Sequence, residues 1–378
     1  MNVLLIATYS GISGASKSLV KLAELLKSKG VNIIVIIPKN GEIEKLLVES
    51  EISYKVIRLY NWVAPLDNKI RFNGNLAWKV KQVINYMQEI RLFYLIKQNN
   101  IDIVHINAIT ANWGYLASRI ARVKTVWHIR ELLEEDLNKQ FRDKKKSVKQ
   151  ISQANKIIAI SNSVSLKYKD ILKVDISTIY NGIDSANFVV NNKSLLKDNY
   201  VKCTIAGRLI KEKGILECIE ALNILISHKG YKNISLDIIG VGDKEYTALL
   251  KKKISEYDLE KNVKLLGFKS NIHNYFVESD IIIVSSKAEA FGRVTIEAML
   301  SQSLVIGANT QGTEELIGRD YGLLYNQGSS SDLAKKIEYA VNNKQFVREK
   351  AFAGREYALN FSAEKNASEI FKLYNEIL

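Results

Sequence analysis

Apolar residues along this chain follow two alternating rhythms. Runs such as Val3–Ala7, Val31–Ile37 and Asp280–Val284 are apolar at nearly every position, which predicts short strands buried on both faces of a parallel sheet. Between such runs lie segments with a helical period, among them Ser16–Ser28 and Ile215–Ser227, which predict helices packed on a sheet. The order recurs: Asn2–Ala7, a Gly-rich turn, helix Ser16–Ser28, Gly30 and strand Val31–Ile37 are echoed by Lys202–Ala206, a Gly-containing turn, helix Ile215–Ser227, Gly230 and strand Ile234–Ile239. The prediction is an α/β protein of two doubly wound, Rossmann-like units. Turn residues in Tyr180-Asn181-Gly182-Ile183-Asp184 place the boundary there, giving units 1–180 and 181–361. The closing segment 362–378 reads as a helix, with Ser362 as its N-cap and Ile370, Leu373 and Tyr374 on one face.

Composition narrows the class. A chain of 378 residues accommodates two domains, each with its own core. No apolar run approaches the ~18–20 residues of a membrane span. The N-terminal run has only strand length and lacks a basic start, so it does not read as a secretory signal. Cys203 and Cys218 are expected as packed thiols, and a cytoplasmic location follows. The charge is uneven: residues 1–184 hold 28 Lys and Arg against 16 Asp and Glu, the remainder 26 against 24. An excess on the first unit favours anionic surfaces. Leu76–Val83, continuing to Arg91–Tyr94, mixes aromatics with cations, and Lys139–Lys149 adds a basic run. These stretches are candidates for peripheral contact with an anionic membrane; a partly buried helix with a solvated basic face is the plainer alternative.

Two segments carry chemistry. In Glu289-Ala290-Phe291-Gly292-Arg293-Val294-Thr295-Ile296-Glu297, two glutamates bracket the expected start of a helix near Phe291. Its free N–H groups at the mouth of a parallel sheet suit a phosphate. Glu297 would stand almost two turns in, about 12 Å from Glu289 at ~1.5 Å per residue. Upstream, strand Val201–Ala206 runs through Gly207-Arg208-Leu209-Ile210-Lys211-Glu212-Lys213-Gly214 into a helix. Arg208 offers a planar fork and Lys213 a mobile charge, which together suit a diphosphate.

In this order the motifs resemble the retaining glycosyltransferases of the GT-B fold that carry paired glutamates, the group 1 or family 4-like enzymes. The resemblance spans nearly the whole chain, through Ser10–Ala15, Asn181–Asp184, Ile239-Gly240-Val241-Gly242-Asp243, Leu265–Phe268 and Gly312-Thr313-Glu314-Glu315-Leu316-Ile317. The chain departs from the family at Gln302 and Leu304, where Gly and Pro are usual, and at Gln311 or Thr313, where a second Gly is usual. The resemblance implies transfer of a sugar from a UDP- or GDP-sugar to a glycan or lipid-linked acceptor in surface polysaccharide or glycolipid assembly. It further implies retention of configuration, an acceptor-binding first unit, a donor-binding second unit, and a final helix crossing back onto the first.

Roles follow residue by residue. Glu289 is expected to hold the sugar hydroxyls and Glu297 the ribose. Arg208, Lys213 and the Phe291 and Gly292 amides are expected to stabilise the departing diphosphate. By resemblance, the Gly14 and Ala15 amides face that diphosphate and His128 faces the donor sugar. His105, Asn107 and Arg130 stand near the same sheet edge, placed for the acceptor. Whether Glu289 forms a covalent intermediate stays open. No Asp-x-Asp motif or metal-spaced His/Cys cluster occurs in the sequence, so no metal or cofactor is expected. The Gly11–Ser18 loop carries Ser16 where a Walker loop needs Gly before Lys17, which weakens an NTPase reading. A nucleotide-sugar epimerase and a basic nucleic-acid-binding protein are the alternatives; the second lacks a recognised module, and no nucleic-acid partner is expected.

Overall fold

The computed structural model describes residues 1–66, 76–190, 193–197 and 200–378. Packing divides the chain into two compact units, Met1–Gly182 with Ala363–Leu378, and Ile183–Ser362.

The first unit is built on seven parallel strands: β1 (Asn2–Ile6), β2 (Asn32–Ile37), β3 (Ser53–Val56), β5 (Ile103–Ile106), β6 (Lys124–Ile129), β8 (Lys156–Ala159) and β9 (Ser177–Thr178), in the order β3-β2-β1-β5-β6-β8-β9. Two short strands, β4 (Val63–Pro65) and β7 (Lys139–Phe141), pair antiparallel as a separate ribbon. The second unit holds β10 (Val201–Ala206), β11 (Ile234–Ile239), β12 (Val263–Gly267), β13 (Ile281–Val284), β14 (Leu304–Ala308) and β15 (Leu323–Tyr325), in the order β12-β11-β10-β13-β14-β15. In each sheet the order reverses beside the unit's first strand, at β1/β5 and at β10/β13. Such reversals leave a crevice at the carboxyl ends of the strands, because the helices on either side depart in opposite directions.

The unbroken apolar runs became strands covered on both faces: Ile281, Ile282 and Ile283 are fully buried, as are Val35, Ile36 and Ile37. Local capping shifted some boundaries. The first helix runs Gly14–Ser28, two residues earlier than its apolar period indicates, because the Ser13 side chain accepts from the Ser16 N–H. Strand β6 extends through His128 to Ile129, which pairs with Ala159; β5 likewise includes His105 and pairs Ile106 with Trp127. Both histidines therefore lie within strands rather than just beyond them.

Helix Ala363–Ile377 buries Ile370, Leu373 and Tyr374 against the first unit and packs on helix Gly14–Ser28. Two of the departures from the resembling family fall at left-handed backbone positions. Gln302 has φ +53° and Gln311 φ +23°, where glycine would be the easier occupant. Leu304 opens β14 as a fully buried strand residue.

Candidate active site

In the second unit the β10/β13 reversal gathers the two motifs. The chain leaves β10 through Gly207 and Arg208, makes a short turn over Lys211–Lys213, and enters helix Ile215–Asn223. Two hydrogen bonds hold this turn to the loop after β13: the Lys287 N–H donates to the Glu212 carbonyl at 2.8 Å, and the Ser285 side-chain Oγ to that of Lys213 at 2.7 Å. The result aims Lys213 at the glutamate run. Its Nζ lies 2.5 Å from Glu289 Oε1 and 3.2 Å from Ser286 Oγ. Both partners of this ion pair are mostly buried, with side-chain exposures of 22% and 17%. A small cavity of about 50 Å³ opens beside them, lined by Gly207, Lys213, Ser285, Ser286, Glu289 and Val294, among others. Arg208 stays exposed at the same turn.

The helix after Glu289 begins later than expected. Gly292, at φ +89°, caps helix Arg293–Leu300, so Glu297 is the fifth helical residue, little more than one turn in rather than almost two. Nor is its carboxylate merely solvated: Arg293 Nε donates to it at 2.7 Å. Phe291 is buried and its ring contacts Phe361. The loop is held from beneath by Gly312, whose N–H donates to the Glu289 carbonyl at 3.0 Å. A Cβ at Gly312 would fall 2.7 Å from the Phe291 oxygen and 2.8 Å from that of Glu289. Sequence reasoning assigned no role to Ser286 or Gly312, because only the folded loop brings them to Glu289.

In the first unit, His105 and His128 are fully buried. His105 Nδ1 lies 2.5 Å from the Tyr374 hydroxyl, and its Nε2 lies 3.3 Å from His128 Nδ1. Both nitrogens of His105 are therefore engaged within the unit. His128 differs, since its Nε2 is buried without a hydrogen-bond partner. Beside them, Arg130 Nη2 donates to Asn181 Oδ1 at 2.8 Å, and Nη1 approaches Asn107 Oδ1 at 3.4 Å. Asn181, read from the sequence as a boundary residue, is thus part of this polar cluster. Gly14 and Ala15 are exposed at the first two positions of their helix, where N–H groups have no intrahelical acceptor.

Burial, reinforced by the Arg130 charge, lowers the His105 pKa to about 3 and holds that of His128 well below the ordinary 6.5. Burial acts oppositely on Glu89 and Glu131, raising each carboxyl from 4.5 to about 7. The unfolded chain binds protons on the two histidines below pH 6.5 that the folded unit refuses; the folded unit retains protons on the two glutamates that the unfolded chain releases above pH 4.5. Between these values the two effects oppose. Below 4.5 the unfolded glutamates are protonated as well and the histidines act alone, destabilising the fold. Calorimetry across this range is expected to show a thermal midpoint nearly flat from pH 6.5 to 4.5 and falling below it; a steady fall from pH 6.5 would show that the two carboxyl groups titrate at ordinary values.

Comparison with known proteins places this arrangement. The sequence profile described as glycosyl transferases group 1 matches residues 189–358, and that of glycosyltransferase family 4 matches residues 12–187. The chain belongs to the group 1 glycosyltransferases. It is 29% identical over 246 residues to the capsular polysaccharide biosynthesis glycosyltransferase CapM of Staphylococcus aureus, covering 60% of this chain and 62% of CapM. It is 27% identical over 280 residues to the UDP-Gal:α-D-GlcNAc-diphosphoundecaprenol α-1,3-galactosyltransferase of Escherichia coli, covering 68% and 70% of the two chains. The chain spans 60% to 62% of the length of three curated relatives. Among solved structures, Anabaena HepE in complex with UDP superposes over 100% of both chains with a TM-score of 0.81 and 22% identity, which shows the shared GT-B fold.

Proposed function

We propose that this group 1 glycosyltransferase moves a sugar, with retention and without a metal, from a nucleotide-sugar to a glycan or lipid-linked acceptor. The donor is assigned to the second unit and the acceptor to the first. The observation that carries the reading is the Lys213–Glu289 pair at the β10/β13 reversal, 2.5 Å apart and set beside a cavity. The pair supports the reading because a cation suited to a diphosphate stands next to a carboxylate suited to sugar hydroxyls. Arg208, close in the chain, adds a second cation, and the N-terminus of helix Arg293–Leu300 adds N–H groups. Charge developing on the leaving diphosphate would be met by groups already oriented, the main electrostatic requirement of such a transfer. His128, in the first unit, has Nε2 buried and unpaired; being neutral, it would act on a sugar by hydrogen bonding rather than charge.

The named relatives support the choice of substrates. HepE was crystallised with UDP, and the Escherichia coli relative is named for a UDP-galactose donor and a diphosphoundecaprenol acceptor. UDP and GDP are therefore the first nucleotides to test, and surface polysaccharide or glycolipid assembly is the setting we infer, on the cytoplasmic side.

Calorimetry tests the phosphate assignment. Arg208→Ala and Lys213→Ala are each expected to weaken nucleoside diphosphate binding about tenfold or more, as loss of a charge-assisted hydrogen bond implies, while the parent nucleoside changes little. Equal losses for both ligands would place these side chains elsewhere.

A further inference from the structure

Helix Leu76–Gln98 is apolar on two opposite faces. One face buries Leu92, Leu95 and Ile96. On the other, Leu76, Val80, Val83, Met87, Ile90 and Tyr94 are 51% to 74% exposed. At about 100° per residue these six fall within a stripe about 80° wide and roughly 27 Å long, centred opposite the buried side chains. Single exposed apolar residues are ordinary on a protein surface; a continuous line of them marks an interaction site. Leu116 and Ile120, on the helix Tyr115–Ala121 that packs beside it, are exposed as well.

Cations edge this stripe. Lys79 and Arg91 flank it, about 60° to either side on the helical wheel. Lys146 Nζ lies 5.8 Å from the Tyr86 ring centre and 3.5 Å from its hydroxyl, which brings the basic helix Lys144–Ser152 alongside. The one acid of helix Leu76–Gln98, Glu89, is turned inward. Its oxygens accept from the Gly114 and Ala117 N–H groups at 2.7 and 2.8 Å.

We propose that this face docks on an anionic lipid bilayer, with the helix lying in the interface, its apolar line entering the acyl boundary and its flanking cations meeting the headgroups. As a means of reaching a lipid-linked acceptor, the inference rests on the transferase reading; as a surface it stands on the exposed line and its cationic edges. The four-three spacing also suits a seam between two copies of the chain. A self-paired seam is usually flanked by charges of both signs. Here the exposed flanks are cationic, so pairing would bring like charges together, whereas an anionic surface complements them.

Co-sedimentation of the full chain with vesicles tests this, using phosphatidylglycerol mixed into phosphatidylcholine against phosphatidylcholine alone. The wild-type protein is expected to bind only the anionic vesicles, and less at high salt. A triple Val83→Ser, Met87→Ser, Ile90→Ser variant, and separately Lys144→Gln, Lys145→Gln, Lys146→Gln, are each expected to weaken that binding about tenfold or more. Thermal shift with UDP or GDP is read in parallel, and the variants are expected to match the wild type, because the substituted residues are in the other unit from the proposed diphosphate site. Equal binding to neutral vesicles, or anionic binding that survives both variants, would overturn the proposal. So would absence of vesicle binding with a dimer, seen by ultracentrifugation, that the serine variant dissociates; the occupant would then be a second copy. Vesicle binding without any nucleotide-induced shift would leave the docking surface standing and remove the transferase reading instead.

Discussion

Glu289→Gln is expected to slow release of nucleoside diphosphate from the donor by at least ~100-fold, about 2.7 kcal/mol of transition-state stabilisation, without weakening nucleoside diphosphate binding. The asymmetry follows from the ion pair. Lys213 Nζ sits 2.5 Å from Glu289 Oε1, and a diphosphate must share that cation with the carboxylate. Neutralising the carboxylate releases the cation to the phosphate, so affinity is expected to hold or rise while turnover falls. Lys213→Ala should do the reverse for binding, and the double variant should lose less than the sum of the two, as groups in direct contact do. A role limited to holding the loop predicts a different pattern: Glu289→Gln would lower the thermal midpoint and lose turnover and binding together. Near wild-type turnover in Glu289→Gln would sink the assignment.

Gly240→Ala is expected to destabilise the second unit by about 3 kcal/mol or more and to abolish donor binding with it. A Cβ at Gly240 would stand 1.8 Å from the Gly207 carbonyl oxygen, at a backbone φ of +147° that side chains seldom adopt. The obstacle is main chain, which cannot rotate away as a side chain would. The Gly207 N–H also bonds the Ile239 carbonyl, and the Leu209 N–H that of Val241, so relief would have to pull apart the β10 and β11 ends that place Arg208 and Lys213. Gly230→Ala is the control: φ is +75°, yet nothing lies within 4 Å of the added carbon. It should cost only the left-handed penalty of about 1–2 kcal/mol and leave binding intact. Equal thermal midpoints for the two variants would mean that the β10 and β11 ends adjust easily.

Hydrophobic rhythm carried most of the architecture, because a strand buried on both faces has to be apolar almost throughout, as Ile281–Val284 is, and a helix covering a sheet has to repeat at its own period. The bond partners of polar side chains had no such local imprint. Glu289 and Lys213 are separated by the whole β11–β13 stretch, and only the order β11-β10-β13 sets their loops side by side. The spacing of Glu289 and Glu297 showed that they bracket a helix start; the left-handed Gly292 moved that start and so left Glu297 little more than one turn inside the helix. His105 read as an edge residue until the strand extended two places, to Ile106, and Tyr374, from the far end of the chain, closed over its ring. The mixture of aromatics and cations in Leu76–Tyr94 was legible as a candidate surface, but which face of the helix is exposed was not, for a related reason. Apolar residues on both sides of a helix erase the amphipathic period, and only the packing of one side shows which residues remain for another surface.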